Sequence, residues 1–449
     1  MRILEIVHGF PPAATGGTEL YARAHAFALG EAGDEVVVLA READDTRDDC
    51  QVRPETVDGL RVVRINNTFR GVRSFEDTYR NHALGAVAAQ VIDEIAPDAA
   101  HIHHLTGLST TIIESLAERG IPCVVTLHDY WLMCHRGQLL DTNYQICDGP
   151  GAGGCHACLG SAGGAGAVSF AGAAVVRGLE RRLPAAPGRQ LRRVAELGAA
   201  LMSHAGEGES QERRRIDHMR QICGRVTHFL APSRYIRDRF VEFGVDPARL
   251  SVSPNGVDHT PFVSHRPQAA GGAPRSLRLG FLGSLMISKA PHLLLEAAAL
   301  LPAGSVTVDL FGAQSSYHGD RGYQQRLEPL LRRDHVRVHG LIPHAQVPAA
   351  LAAIDVLVVP SIWPENAPLV IQEAFIAGTP VVASRIGGIP EMVADGVSGL
   401  LFCPGDAVDL STSLGRFLNE PDLLERLRAG LPAVRCIDED VRFARSLYR

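Results

Sequence analysis

The chain lacks the marks of several large protein classes. No apolar run approaches the ~20 residues that a membrane-spanning helix needs. A basic excess is missing too: 44 Lys and Arg stand against 50 Asp and Glu, a formal charge of −6. That balance argues against nucleic acid as a partner, since such binders show clustered positive charge. The Gly16-Gly17 pair after the first strand does not make the dinucleotide fingerprint GxGxxG, and no acidic residue stands out as a ribose partner, so it does not point to NAD. The opening residues Met1-Arg2-Ile3-Leu4-Glu5-Ile6-Val7 are interrupted too soon for a signal peptide and read as a first strand. With no export signal, the nine cysteines suggest reduced thiols or a metal site in a cytoplasmic protein, not a disulfide framework.

What is present is a soluble globular composition, 46% hydrophobic and 21% charged. The 449 residues give a length prior of about three domains. Short β-branched runs alternate with longer Ala- and Leu-rich segments, the pattern of βαβ units on parallel sheets. A first series runs through Ile3–Val7, Val36–Leu39, Leu60–Ile65, Ala99–Ile102, Cys123–Leu127, Thr227–Ala231 and Leu250–Ser253. A second runs through Leu277–Leu282, Val306–Phe311, Val336–His339, Val356–Val359, Val381–Ala383 and Leu400–Phe402. The expected organisation is α/β, with two Rossmann-like doubly wound domains facing a central cleft. The boundaries are 1–258, with an insertion at about 134–225, a linker at 259–275, a second domain at 276–430 and a C-terminal helix within 431–449. Within the insertion, the Gly- and Ala-rich Leu159–Gly188 stretch reads as mobile.

Ligands of such sheets bind beyond the carboxyl ends of the strands. Gly16-Gly17 lies there, after the first strand and before its helix, where a missing Cβ and a helix N-terminus favour an anion; a plain turn fits equally well. The segment Pro360–Phe375 holds Glu365 and Glu373 after a buried strand. Its prolines postpone the helix to about Asn366, which is expected to act as N-cap. A continuous helix would separate the two carboxylates by ~12 Å, whereas a loop lets them serve different parts of one ligand. Glu365 could equally be a solvated loop carboxylate. Lys289 is expected to open a helix, a position the dipole disfavours unless an anion is bound. His128 ends the Cys123–Leu127 strand, and His103 and His104 end the preceding one; single histidines there are commonly only hydrogen-bonding residues.

Together these residues resemble family 4 of the retaining, GT-B-fold glycosyltransferases. The carriers are Glu365-x7-Glu373, Ala377-Gly378-Thr379-Pro380-Val381-Val382, and Gly387-Gly388-Ile389-Pro390-Glu391. Pro11-Pro12 through Gly16-Gly17, Pro232-Ser233 and Asn255-Gly256-Val257-Asp258 support them. The resemblance implies transfer of a sugar, with retention, from a nucleotide-diphosphate donor (UDP-, GDP-, ADP- or dTDP-linked) to a hydroxyl acceptor, without a catalytic metal cofactor. It further implies that Lys289 neutralises the leaving diphosphate and Glu373 takes the ribose hydroxyls. Glu365 would contact the donor sugar, helped by the N–H groups of Ala367, Leu369 and Val370. Gly16 and Gly17 would admit the diphosphate, and His128 would reach sugar and acceptor. One departure stands out: Ser284 occupies a position where many relatives carry a second diphosphate-binding arginine. A nucleotide-sugar epimerase of similar build and a non-catalytic nucleotide-sugar-binding protein are the alternative readings.

Cys134, Cys147, Cys155 and Cys158 fall within 25 positions and end in a Cys-x-x-Cys pair. That spacing suits a structural zinc, with free thiols as the competing reading. The Gln190–Arg225 stretch carries Arg192, Arg193, Arg213, Arg214 and Arg215. It is expected to be a solvated helical face, with weak contact to the inner face of a membrane as the alternative.

Overall fold

The structure is a computed structural model that describes residues 1–150, 155, 158, 205–263, 276–318 and 322–449, with backbone alone at 205–210. The 159–188 stretch, Arg192, Arg193 and most of the 259–275 linker lie outside these residues.

Two sheets organise the chain. The first contains β1 Arg2–Val7, β2 Glu35–Glu42, β3 Val52–Val57, β4 Leu60–Asn66, β5 Ala99–Ile102, β6 Cys123–Thr126, β7 His228–Ala231 and β8 Leu250–Val252. Their order is β3-β4-β2-β1-β5-β6-β7-β8. The second contains β9 Leu277–Leu282, β10 Val306–Phe311, β11 Val336–Gly340, β12 Val356–Val359, β13 Val381–Ser384 and β14 Gly399–Phe402, in the order β11-β10-β9-β12-β13-β14. Parallel strands covered on both faces need apolar side chains at every position. So Ile3–Val7 of β1 and all four residues of β12, β13 and β14 are buried.

The sequence pattern does not reveal β3. It pairs antiparallel with β4 at the sheet edge, and its Val-Arg-Pro-Glu-Thr-Val run is largely polar. Proline and charge belong on an edge strand because its outer N–H groups need no partner.

In the first sheet the chain winds outward from β1, then returns to place β5 on the other side of β1. The second reverses likewise between β9 and β12. Each reversal opens a crevice at the strands' carboxyl ends. The helix Gly17–Glu31 leaves the first crevice with Tyr21, Ala22, His25, Ala26 and Leu29 buried. Against it packs the C-terminal helix Ile437–Arg445, which buries Ile437, Asp440, Val441 and Ala444 on one face. Three acids in its first turn and two arginines in its last match the helix dipole. Asp440 accepts hydrogen bonds from Tyr21 Oη at 2.6 Å and the Gly256 N–H at 2.8 Å, and so ties the chain's end to the first domain. Among the described residues, no helix is long and apolar enough to cross a membrane.

Candidate active site

The strand ends of the two domains face one another across a cleft of about 840 Å³. Thr15, Gly16, Gly17 and His128 line it from the first domain, and Ser284, Lys289, Glu365 to Val370 and Glu373 from the second. The structure therefore brings Gly16, Gly17, His128, Ser284, Lys289, Glu365, Ala367, Leu369, Val370 and Glu373 to one place, whereas His103 and His104 lie outside this lining.

Glu365 follows β12 and is only 3% exposed, which rules out the solvated loop carboxylate. Its Oε1 accepts bonds from Lys289 Nζ at 2.6 Å, Ser361 Oγ at 2.6 Å and Trp363 Nε1 at 2.9 Å. Lys289 also lies 5.4 Å from the Trp363 ring centre, a cation–π distance. It does not open a helix. It ends the 3-10 turn Ile287–Lys289, Ala290 takes a left-handed conformation, and the helix begins at Pro291. The expected conflict with the helix dipole disappears, because a buried carboxylate balances the ammonium. Lys289 is the only lysine in the chain, so every other one of the 44 basic residues is arginine. That count is a sequence signal for this position, since lysine gives a compact, mobile charge where arginine gives a planar fork.

Asn366 is not an N-cap. Pro368 holds that position of the Leu369–Ile376 helix. Asn366 instead crosses to the first domain, where its Nδ2 donates to the Leu127 carbonyl and its Oδ1 accepts from Ser233 Oγ at 2.8 Å. Gly387 and Gly388 make room for this loop. Gly387 has φ +58°, and a Cβ there would lie 2.1 Å from the Glu365 carbonyl oxygen; one on Gly388 would lie 1.9 Å from that of Asn366. Glu391 completes the motif by accepting the Arg234 and Tyr235 N–H groups, each at 2.8 Å, at the start of the Arg234–Phe243 helix. The glycine-rich and Pro-Ser motifs are thus two halves of one inter-domain clasp. The Leu369 and Val370 N–H groups, at the head of their helix, have no intrahelical acceptor.

Glu373 rides that helix, 8% exposed, and its Oε1 accepts from His344 Nε2 at 2.8 Å. That hydrogen bond raises the His344 pKa. His344 is the neighbour that the sequence did not single out; nothing in its Pro-His-Ala setting marks it. Across the cleft, a Cβ on Gly17 would meet only Leu369 Cδ1, at 4.0 Å. Ser284 sits in the lining directly after β9.

His128 belongs to a buried cluster. Its Nε2 stands 3.3 Å from His103 Nδ1, and His103 Nε2 is 2.5 Å from Glu5 Oε2. Glu5 Oε1 meets His25 Nδ1 at 3.2 Å, and His101 bonds Tyr448 Oη at 2.6 Å and Thr126 Oγ1 at 2.7 Å. Burial pushes the Glu5 carboxyl up, but the charges and hydrogen bonds of His25 and His103 outweigh it and hold the group ionised. Burial and the neighbouring histidines push the His128 pKa well below its ordinary value, so His128 is a neutral hydrogen-bonding group. Glu5, His25 and His101 escaped the sequence analysis because each sits inside an apolar run. Among the described residues, theirs are the ligand atoms mutually within 4.8 Å that could hold a metal. The hydrogen bonds above already engage them.

The arginine stretch divides. On the Ala205–Cys223 helix, Arg213 and Arg214 are exposed. Arg215 is buried, contrary to a uniformly solvated face. It donates to the Trp131 carbonyl and lies over the Tyr79 and Trp131 rings, 5.6 and 5.5 Å from their centres.

Two doubly wound domains with facing strand ends are the GT-B architecture. The family model "Glycosyl transferases group 1" matches residues 269–430, and "Glycosyltransferase Family 4" matches 15–146 and 184–260. The D-inositol 3-phosphate glycosyltransferase of Thermomonospora curvata is 35% identical over 206 residues, 42% of this chain and 48% of that protein. The chain thus spans about half the length of such curated relatives. The glycogen synthase of Mycobacterium tuberculosis is 27% identical over 95% of this chain and 88% of its own. In fold, the chain is similar to Anabaena Alr3699/HepE crystallised with UDP and glucose, with a TM-score of 0.64, 17% identity and coverage of 100% and 99%. The chain belongs to family 4 of the retaining GT-B-fold glycosyltransferases.

Proposed function

We propose that the protein transfers a sugar from a nucleotide-diphosphate sugar to a hydroxyl acceptor with retention of anomeric configuration. The observation that carries this reading is the pairing of the chain's single lysine with buried Glu365 in the inter-domain cleft, 2.6 Å apart. An ammonium there, beside the open N–H groups of Leu369 and Val370, suits a leaving group that gains negative charge in the transition state. Prepositioned charge of this kind lowers a barrier because it costs no reorganisation during reaction. In this reading Lys289 and the helix N-terminus receive the diphosphate, with the backbone at Gly17 closing from the other side. Glu373 accepts from the ribose hydroxyls. Glu365, with three donors on Oε1, keeps Oε2 for a donor-sugar hydroxyl. Neutral His128 adds a hydrogen bond to the sugar and faces the acceptor. The relative crystallised with UDP and glucose supports a donor of this class.

A thermal-shift screen with UDP-, GDP-, ADP- and dTDP-sugars tests the reading, because a ligand that binds the native state raises apparent stability. The expected result is a marked shift with one nucleotide class, followed by nucleoside diphosphate release that depends on an added hydroxyl acceptor. No shift with any of the four overturns the reading. Conversion of the donor to an epimer with no acceptor present replaces transfer with epimerisation.

A further inference from the structure

Glu5 sits within β1, inside the apolar run Ile3–Val7, and is fully buried. A carboxylate there is destabilising unless its partners offset the lost hydration, and those partners form a line that leads to the cleft. Strands β1, β5 and β6 are neighbours in the first sheet. Glu5 lies on β1, His103 directly follows β5, and His128 follows β6. Glu5 Oε2 meets His103 Nε2 at 2.5 Å, and His103 Nδ1 meets His128 Nε2 at 3.3 Å. His128 lines the inter-domain cleft, whereas Glu5 and His103 stand behind it.

The positions of the protons follow from which atoms are able to donate. An ionised carboxylate only accepts, and both Glu5 oxygens are engaged, Oε1 by His25 Nδ1. His103 therefore carries a proton on Nε2. A second proton would make His103 a cation with no carboxylate of its own. Its ring stacks on that of His101, with centres 4.6 Å apart and planes at 10°, and the His25 ring centre is 5.4 Å away. Glu5 is shared with His25, and Asp440 is already paired with Arg435 at 3.2 Å. Burial, too, pushes the His103 pKa below its ordinary value. Neutral His103 thus offers a lone pair on Nδ1, and His128 donates to it from Nε2. That leaves neutral His128 with its own lone pair on Nδ1. Among the described residues Nδ1 forms no hydrogen bond, yet it is not a buried orphan, so it opens to the cleft.

We propose that Glu5 and His103 are positioning residues that fix the tautomer of His128, so that His128 Nδ1 accepts a hydrogen bond from a substrate hydroxyl. This role, which presupposes the transfer reading above, gives the His128 hydrogen bond a direction. The hydroxyl belongs to the donor sugar or to the acceptor, and the chemistry is the same for both: an O–H donates to an imidazole nitrogen, with no covalent bond broken. A substrate with an ether or fluorine at that position is disfavoured, because two lone pairs would face each other.

Spectra of the full chain labelled with ¹⁵N-histidine, taken without substrate, test the tautomer. The His128 signals are those lost in His128→Gln. Nδ1 should have the shift of an unprotonated imidazole nitrogen and Nε2 that of a protonated one. His103→Phe keeps a buried ring but removes the acceptor, and the His128 nitrogens should then move toward the averaged shifts of mixed tautomers. With the nucleotide-sugars of the thermal-shift screen and a hydroxyl acceptor, that variant should lose about threefold to tenfold in kcat/KM, the scale of one neutral hydrogen bond. A loss carried by donor KM assigns the hydroxyl to the donor sugar; one carried by acceptor KM assigns it to the acceptor. Should His103→Phe fail to fold, the spectrum of the unaltered protein decides. A His128 protonated on Nδ1, or a folded His103→Phe protein with unchanged His128 nitrogens or unchanged kcat/KM, overturns the proposal. The expected tautomer in a protein that releases no nucleoside diphosphate removes the transfer reading, whereas the wrong tautomer in an active enzyme removes the roles of Glu5 and His103.

Discussion

Lys289 Nζ lies 2.6 Å from Glu365 Oε1, and the two residues, 76 positions apart in sequence, arrive from the neighbouring strands β9 and β12. Lys289→Ala should lower kcat/KM by about 10²–10³-fold, the scale of losing one prepositioned donor to a developing anion. Lys289→Arg should also cost at least about tenfold, because the planar fork cannot take the ammonium's place beside Trp363. Initial rates of nucleoside diphosphate release check both; wild-type rates in either variant would remove Lys289 from the chemistry.

The single lysine offers a direct spectroscopic handle. Reductive methylation with ¹³C-formaldehyde should give one side-chain signal besides that of the Met1 amine, which is held by Asp34 at 2.9 Å. Adding the cognate nucleoside diphosphate should shift the Lys289 signal and leave the Met1 signal in place. A spectrum indifferent to nucleotide would contradict diphosphate contact.

Glu373→Ala should raise donor KM about 10–100-fold with a smaller change in kcat, as expected for hydrogen bonds from a charged group worth about 1.5–3 kcal/mol. His344 adds a pH dependence. Its pKa is raised by the Glu373 bond, so that bond is complete below the ordinary histidine value and fades as pH rises through the raised one. Donor KM should therefore fall with pH across that window, and His344→Gln should flatten the profile.

Ser284→Arg should lower donor KM by roughly threefold to tenfold, since a second cation would join Lys289 at the diphosphate. Steady-state kinetics and thermal shift with free nucleoside diphosphate should agree; weaker binding would mean that the Ser284 cleft wall is arranged differently from the relatives that carry arginine.

Glu5→Ala should destabilise the protein by about 3–5 kcal/mol, because it leaves His25 and His103 buried without their carboxylate. The signs with pH differ between partners. Glu5, with its pKa depressed, contributes fully above the ordinary glutamate value and loses its contribution as pH falls through the lower one. His25, with its pKa raised, contributes fully below the ordinary histidine value and loses it as pH rises. Denaturant midpoints should peak between the two values in wild type and vary less in the variant.

Much of the architecture was legible because doubly buried parallel strands leave continuous apolar runs. β5, β9, β10 and β12 begin and end where those runs do. β3 was not legible, since an edge strand buries little and carries proline and charge. Glu365, Glu373, Lys289 and His128 could be named from their order after the strands, but their environments could not. Asn366 looked like a cap and proved to be an inter-domain clasp. Arg215 looked solvated and proved to be buried under aromatic rings.

The sequence by itself determined the local elements, the family, and the residue types available at each strand end, because these depend on periodicity and neighbouring residues. It also held a fact that gained meaning only later: one lysine among 44 basic residues. The tertiary structure decided which groups face each other. Lys289 meets Glu365, Asn366 meets Ser233, and Tyr21 meets Asp440 across 419 positions. Such pairings depend on how two sheets place their crevices mouth to mouth, and no local pattern in the chain encodes that distance.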